Sequence, residues 1–188
     1  MIGAAEIARA IRGAFRLLRL DPRGLDDFDA TLEGFWRSFT AAFLTAPAYA
    51  VLVVLEFSAK AGETGEIDWF RVFAVRGIAF VIGWVAFPLV MHTLAQAMGR
   101  SGAYFRFMVA YNWASVPQMI LYLPVELARS AWPEPAAPFA LIALAAILFY
   151  QWFIARTALA VSGLLAGGVV AVDVVLSLAI AAVADALI

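Results

Sequence analysis

Seven side chains able to hold a proton, a solute or a neighbouring helix stand inside otherwise apolar stretches: Arg76, His92, Asn112, Ser115, Gln118, Gln151 and Asp173. Asp173 is the most informative. An aspartate at the centre of a lipid-embedded helix is unfavourable by about 2.5–3.5 kcal/mol, so it must face other protein and be protonated or hydrogen-bonded. Asn112 and Gln151 fall at comparable depth when counted from the helix ends, and they are the natural partners. Asn112, Ser115 and Gln118 recur at steps of three and share one broad helical face. His92 lies within a turn of the membrane surface and reads first as an interfacial residue.

Two kinds of chemistry fit this cluster. One is a proton or ligand site. The other is a helix-packing network, in which each such contact contributes about 0.6 kcal/mol. The packing reading is the more economical, because a lone carboxylate without a charged partner at its own depth is thin support for transport. Arg76, Glu56 and Glu126 sit near the ends of their helices. Snorkelling toward water accounts for them, and an ion pair to Arg76 would be architectural.

Other chemistries lack their residues. There is no cysteine, hence no disulfide, thiol nucleophile or thiolate metal site. The single histidine removes multi-histidine metal and haem arrangements. HExxH, GxSxG, a phosphate loop and a dinucleotide fingerprint are all missing, and a Ser115–His92 pair would have no third group to orient it. The expectation is a protein that is not an enzyme, with no catalytic, cofactor-binding or metal-ligating residues. A net charge of -1 argues against nucleic acid as a partner.

The elements that must position the cluster follow from composition. The 188 residues are 65% hydrophobic and only 14% charged, and the mean hydropathy is +0.91. A soluble domain needs roughly 25% charged residues to cover itself, so lipid must be the solvent for most of this surface. Five apolar stretches, about 39–57, 73–94, 107–127, 139–158 and 165–184, each approach the roughly 20 residues that a bilayer core requires. Only Arg156 and Ser162-Gly163 separate the last two. One continuous helix there would far exceed a bilayer's thickness, so two helices are expected. Pro47, Pro88 and Pro117 fall inside the first three spans and should bend them. Gly163, Gly167 and Gly168 supply a small-residue pattern suited either to close helix contact or to a tight connection.

Residues 1–36 form a separate cytosolic or interfacial segment in this reading. Ala4, Ile7, Ala8, Ile11, Phe15 and Leu18 recur at helical spacing, with Arg9, Arg12, Arg16 and Arg19 on one flank. Such a basic amphipathic helix lies in the headgroup layer, its arginines on anionic lipid, or packs on a partner's cytosolic surface. Those arginines interrupt every run that could serve as the apolar core of a signal peptide. Asp21-Pro22-Arg23-Gly24 reads as a type I turn. Helical periodicity then resumes at Leu25, Phe28, Leu32 and Phe35, beside Asp26, Asp27, Asp29 and Glu33. The result is a hairpin with a basic and an acidic arm. Pairing between the arms would weaken the attraction to lipid.

Orientation follows from the basic residues. With the N-terminus cytoplasmic, nine fall inside (Arg9, Arg12, Arg16, Arg19, Arg23, Arg37, Arg100, Arg106, Arg156) and four outside (Lys60, Arg71, Arg76, Arg129), as the positive-inside rule requires. The C-terminus is then periplasmic. The acids Glu63, Glu66 and Asp68 lie in the first outer loop. Trp36 and Tyr104 would mark the inner interface, and Trp69, Tyr122 and Trp132 the outer. Lys60 is the single lysine among 13 basic residues, a bias that fits a GC-rich bacterial genome and an inner-membrane location.

Asp21-Pro22-Arg23-Gly24 ahead of an amphipathic lead into span one, together with Tyr111-Asn112-Trp113-Ala114-Ser115-Val116-Pro117 in span three, resembles the bacterial branch of the Yip1-like membrane proteins. The resemblance covers nearly the whole chain and implies a scaffold or organiser, with no catalytic residues to carry over. The short N-terminal segment departs from the trafficking relatives, which contact small GTPases through a larger cytosolic part. The leading expectation is therefore an all-α bundle acting as an organiser or accessory subunit, associated with itself or with other membrane proteins. The alternative is a small transporter or channel using Asp173, Asn112 and Gln151.

Overall fold

The computed structural model describes residues 2–64 and 67–188, except for the side chains of 60–64. Glu66 therefore lies outside the described residues, and the side chains of Lys60 and Glu63 are not described. Seven α-helices form among them: α1 (Ala4–Leu18), α2 (Leu32–Ser38), α3 (Thr40–Thr64), α4 (Trp69–Ala97), α5 (Tyr104–Ala131), α6 (Pro133–Ala158) and α7 (Gly163–Ala186). Four helical stretches are long and apolar enough to cross a membrane: Leu32–Ala59, Trp69–Ala97, Pro133–Ala158 and Gly163–Ala186. They mark a multi-pass membrane protein.

The stretch expected as a third span, α5, is 28 residues long but is the least apolar of the long helices. It carries Arg106, Asn112, Gln118, Glu126 and Arg129. The reason is its place in the bundle. α5 packs closely on α3 and α6 and touches α1, α2 and α4, and Phe107, Met108, Ala110, Trp113 and Ala114 are buried in it. The half from Tyr104 to Pro117 is packed in protein and needs less apolar surface than a helix bathed in lipid, whereas Ile120, Leu121 and Leu127 beyond it are exposed.

The helix ends are explained by local chemistry. The Thr31 hydroxyl accepts from the Gly34 N–H at 3.0 Å, the Asp68 carboxylate from Arg71 at 3.1 Å, and the Ser162 hydroxyl from Leu165 at 3.3 Å. Each satisfies one orphan donor of a first helical turn. At three C-termini a left-handed residue closes a Schellman turn. Gly99 does this after α4, but Leu20 and Ala160 do it after α1 and α6. In each, the following N–H reaches back to the fifth carbonyl before it: Arg100 to Ala95, Asp21 to Arg16, and Val161 to Arg156. The turn at Ala160, with Ser162 as the next cap, divides α6 from α7. Two helices form there, as expected.

Residues 1–36 do not stand apart. Ala10, Ala14, Leu17, Phe28 and Phe35 share one buried core with Phe107, Met108, Trp113 and Tyr150, and the Tyr150 hydroxyl donates to the Ala14 carbonyl at 2.7 Å. The expected type I turn is the start of a 3-10 helix, Pro22–Asp27. It packs against α1 so closely that a Cβ on Gly24 would lie 2.6 Å from the Gly13 carbonyl oxygen. The acidic arm is thus not one helix. An extended stretch at Phe28 and the Thr31 cap separate the 3-10 turn from α2, and α2 continues almost directly into α3. The end of the bundle that carries α1 is called the near end below, the opposite end the far end.

Candidate functional site

The site is a cleft in the middle of the bundle. α3, α5, α6, α7 and α4 follow one another round a ring of contacts, but α4 touches α3 and α5 only sparsely. Small residues at the gap, Ala79 and Gly83 on α4 with Ser177 and Ala181 on α7, leave a cavity of about 390 Å³. That falls in the range of small-molecule sites.

Four of the six residues expected in the polar cluster line this cavity: Asn112, Ser115 and Gln118 from α5 and Asp173 from α7. They converge without closing on one another. Asn112, 2% exposed, donates to the Ser38 hydroxyl at 2.8 Å, and the Ser38 hydroxyl donates to the Phe35 carbonyl at 2.6 Å. The Ser115 hydroxyl donates to the Asn112 carbonyl at 2.7 Å. Gln118 makes no side-chain hydrogen bond among the described residues. Asp173, 7% exposed, accepts from Gln151 Nε2 at 3.3 Å. Gln151 reaches it from α6, on the side away from the cavity, in a small void also lined by Phe87 and Phe107. Tyr111 lines both the cavity and this void beside Asp173.

His92 is not part of the site. It lies exposed near the near end, 3.4 Å from the Gln96 amide nitrogen, with its ring edge-on to Tyr104. Tyr104 itself does not belong to an interfacial belt. It is 9% exposed, and its hydroxyl donates to the Pro88 carbonyl at 3.0 Å. Pro88 has no N–H for the Trp84 carbonyl one turn earlier, and both residues line the cavity.

Toward the far end the cleft meets Arg76, whose side chain is only 9% exposed. Its guanidinium is 2.7 Å from Glu56 on α3 and 2.7 Å from Asp185 on α7, and 5.2 Å from the Phe57 ring centroid. Snorkelling does not describe this residue. It is a buried cation bridging three helices, and its Nε has no hydrogen-bond partner among the described residues. Asp185 escaped sequence reasoning because it falls at the last turn of an apolar run, where a carboxylate looks solvated. Tyr49 lies between the cleft and a second cavity of about 710 Å³ that holds Glu56, Glu126 and Arg129.

The N-terminal arginines divide into two pairs. Arg12 bonds Asp27 at 2.9 Å, and Arg16 bridges Asp21 at 3.0 Å and Asp27 at 3.1 Å. Hydrogen bonds from Arg23 and Arg16 hold the Asp21 carboxyl down at about 2. Burial works against ionisation of Asp27, but bonds from Arg12 and Arg16 outweigh it and keep its pKa low. The pairing between arms is therefore real. Arg9 and Arg19 are exposed and have no ion pair among the described residues.

No protein-family model, curated protein or solved structure matches this chain. The site has to be read from its own geometry.

Proposed function

We propose that this is a five-span membrane protein that takes a small solute into the central cleft, as a small transporter or channel. One observation carries the reading: polar side chains from two helices meet at an open cavity instead of on each other. A packing network would bring Asn112, Ser115, Gln118 and Asp173 into mutual hydrogen bonds along a dry seam. Of the six expected members only Gln151 and Asp173 bond each other side chain to side chain, and Gln118 is left beside the cavity. In this reading α5 is the fifth span, its polar face serving the cleft. The membrane is a bacterial inner membrane with the near end cytoplasmic.

The absence of cysteine supplies a clean test. A single cysteine at Ser115 or Gln118, in protein reconstituted into lipid, should react with a water-soluble thiol reagent. A cysteine at the lipid-facing Leu141 should react at least tenfold more slowly. Equal protection at 115, 118 and 141 would mean a dry seam and end the proposal. Flux of candidate solutes into liposomes, and its loss in Asp173→Asn, would then separate a conducting cleft from a merely binding one.

A second reading is supported by α7. A Cβ added at Gly167 or Gly168 would meet nothing within 4 Å, so this small-residue face is not used inside the chain. It is free to meet another helix, as the organiser or accessory role of a Yip1-like protein would require. Arg9 and Arg19 remain available to anionic headgroups at the near end. Crosslinking from position 168 in native membranes should capture a second copy or another subunit; a strictly monomeric protein would remove this reading.

A further inference from the structure

The composition of the cleft wall points to the class of solute, an inference that rests on the cleft reading above. Among the described residues Asp173 is the one carboxyl lining the cavity, and its hydrogen-bond partner, the Gln151 amide, is a neutral donor. That donor holds the carboxyl in place and leaves it without a cation of its own among the described residues. Arg76, the cation that shares the cavity, is met by two carboxylates of its own at 2.7 Å each, so it does not make the cleft attractive to anions. In the adjoining cavity toward the far end Glu126 bonds Arg129 at 2.6 Å and Glu56 bonds Arg76, so the charges there are matched.

One stretch of the wall is aromatic. Tyr49, Phe80, Trp84 and Tyr111 line the same cavity as Asp173. Tyr49 and Phe80 pack with ring centroids 4.8 Å apart, and Phe80 and Trp84 at 6.1 Å. Aromatic faces attract cations through their quadrupoles, tryptophan most strongly. A divalent metal ion would be held by several oxygen ligands, carboxylates among them, and no group of three Asp, Glu, His or Cys side chains stands together among the described residues. An alkylated or aryl ammonium fits on both counts: its charge answers Asp173 and its hydrocarbon groups lie against the rings. We propose that the cleft binds a small organic cation, with Asp173 as its counter-ion and the Tyr49–Phe80–Trp84 wall as its apolar support.

Three ligands of similar size and different charge test this: phenyltrimethylammonium, neutral 2-phenyl-2-propanol and anionic benzenesulfonate. Each is titrated calorimetrically into protein held in lipid nanodiscs, and each is scored for its ability to protect a cysteine at position 115 from an uncharged thiol reagent. The cation should bind and protect, with the other two at least tenfold weaker. Asp173→Asn should weaken the cation at least tenfold and leave the neutral ligand unchanged. Gly83 meets nothing within 4 Å where its Cβ would be, so Gly83→Leu narrows the cleft without backbone strain. It should abolish cation binding even if the Asp173 variant fails to fold. Binding of the neutral or anionic ligand as well as the cation overturns the solute class and leaves the cleft reading standing, as does an accessible cysteine that the cation does not protect. An unreactive cysteine together with no binding overturns both.

Discussion

Single residues in this protein are held in place by a few specific costs and gains. Ala160 occupies a left-handed backbone with φ 52, where an L side chain costs about 1–2 kcal/mol and glycine almost nothing. The Schellman bond from Val161 to Arg156 is what holds it there. Ala160→Gly should therefore stabilise the α6–α7 turn. The gain should be about 0.5–1 kcal/mol, part of the relief being returned as extra freedom of the unfolded chain. A rise in the thermal midpoint measured in nanodiscs checks this, and an unchanged or lower midpoint would show that the surrounding packing, not strain, governs the turn. Arg76 makes the opposite point. Counting depth along a helix places it near an end, but it cannot reveal that Glu56 and Asp185 wait on two other helices.

At the scale of elements, the close approach of backbones decides what the N-terminal segment can be. A Cβ on Gly34 would sit 1.9 Å from the Asp29 carbonyl oxygen, and the structure cannot accept it without moving the entry to α2. Gly34→Ala should destabilise by about 1–3 kcal/mol, as overpacking does. Gly77→Ala, whose Cβ meets nothing within 4 Å, should stabilise α4 by about 0.5–1 kcal/mol through helix propensity. The two changes, compared by thermal unfolding, should move in opposite directions. The joint between α1 and the 3-10 turn should also be sensitive to acid. Asp21 ionises at about 2 in the fold against an ordinary 3.8, and a depressed carboxyl contributes stability above its unfolded value that is lost as pH falls through the folded one. Amide protection at Arg23–Asp27 should therefore decline between about pH 4 and pH 2. In Asp21→Asn it should already be low at pH 5 and change less. A protection profile flat across that window in the wild type would mean that the Arg16 and Arg23 bonds do not hold the turn.

For the molecule as a whole, α5 is the organising element and the N-terminal segment is its cover. Phe107, Met108 and Tyr150 are at most 1% exposed, and α1 is part of what covers them. Deleting residues 2–31 removes Ala10, Ala14, Leu17 and Phe28 from the shared core. This should lower the thermal midpoint markedly and expose Tyr150, although every apolar stretch expected to span remains. Unchanged stability would return the segment to the independent, interfacial role that its amphipathic pattern first implies.

The amino-acid sequence was sufficient for the all-helical class, the membrane as solvent, the break at Ser162-Gly163 and helices that overlap all five expected spans. These follow from hydropathy and local backbone chemistry, which act over a few residues. It also marked Asn112, Ser115, Gln118 and Asp173 as costly in lipid. Which of them share a cavity, that Asn112 bonds Ser38, that Gln151 stands behind Asp173 and His92 far from it, were decided only by tertiary packing. The sparse contact of α4 with α3 and α5 opens the cleft, and that depends on how five helices fit round one another. Helical periodicity reports the face a residue occupies; it carries no information about which neighbour that face will meet.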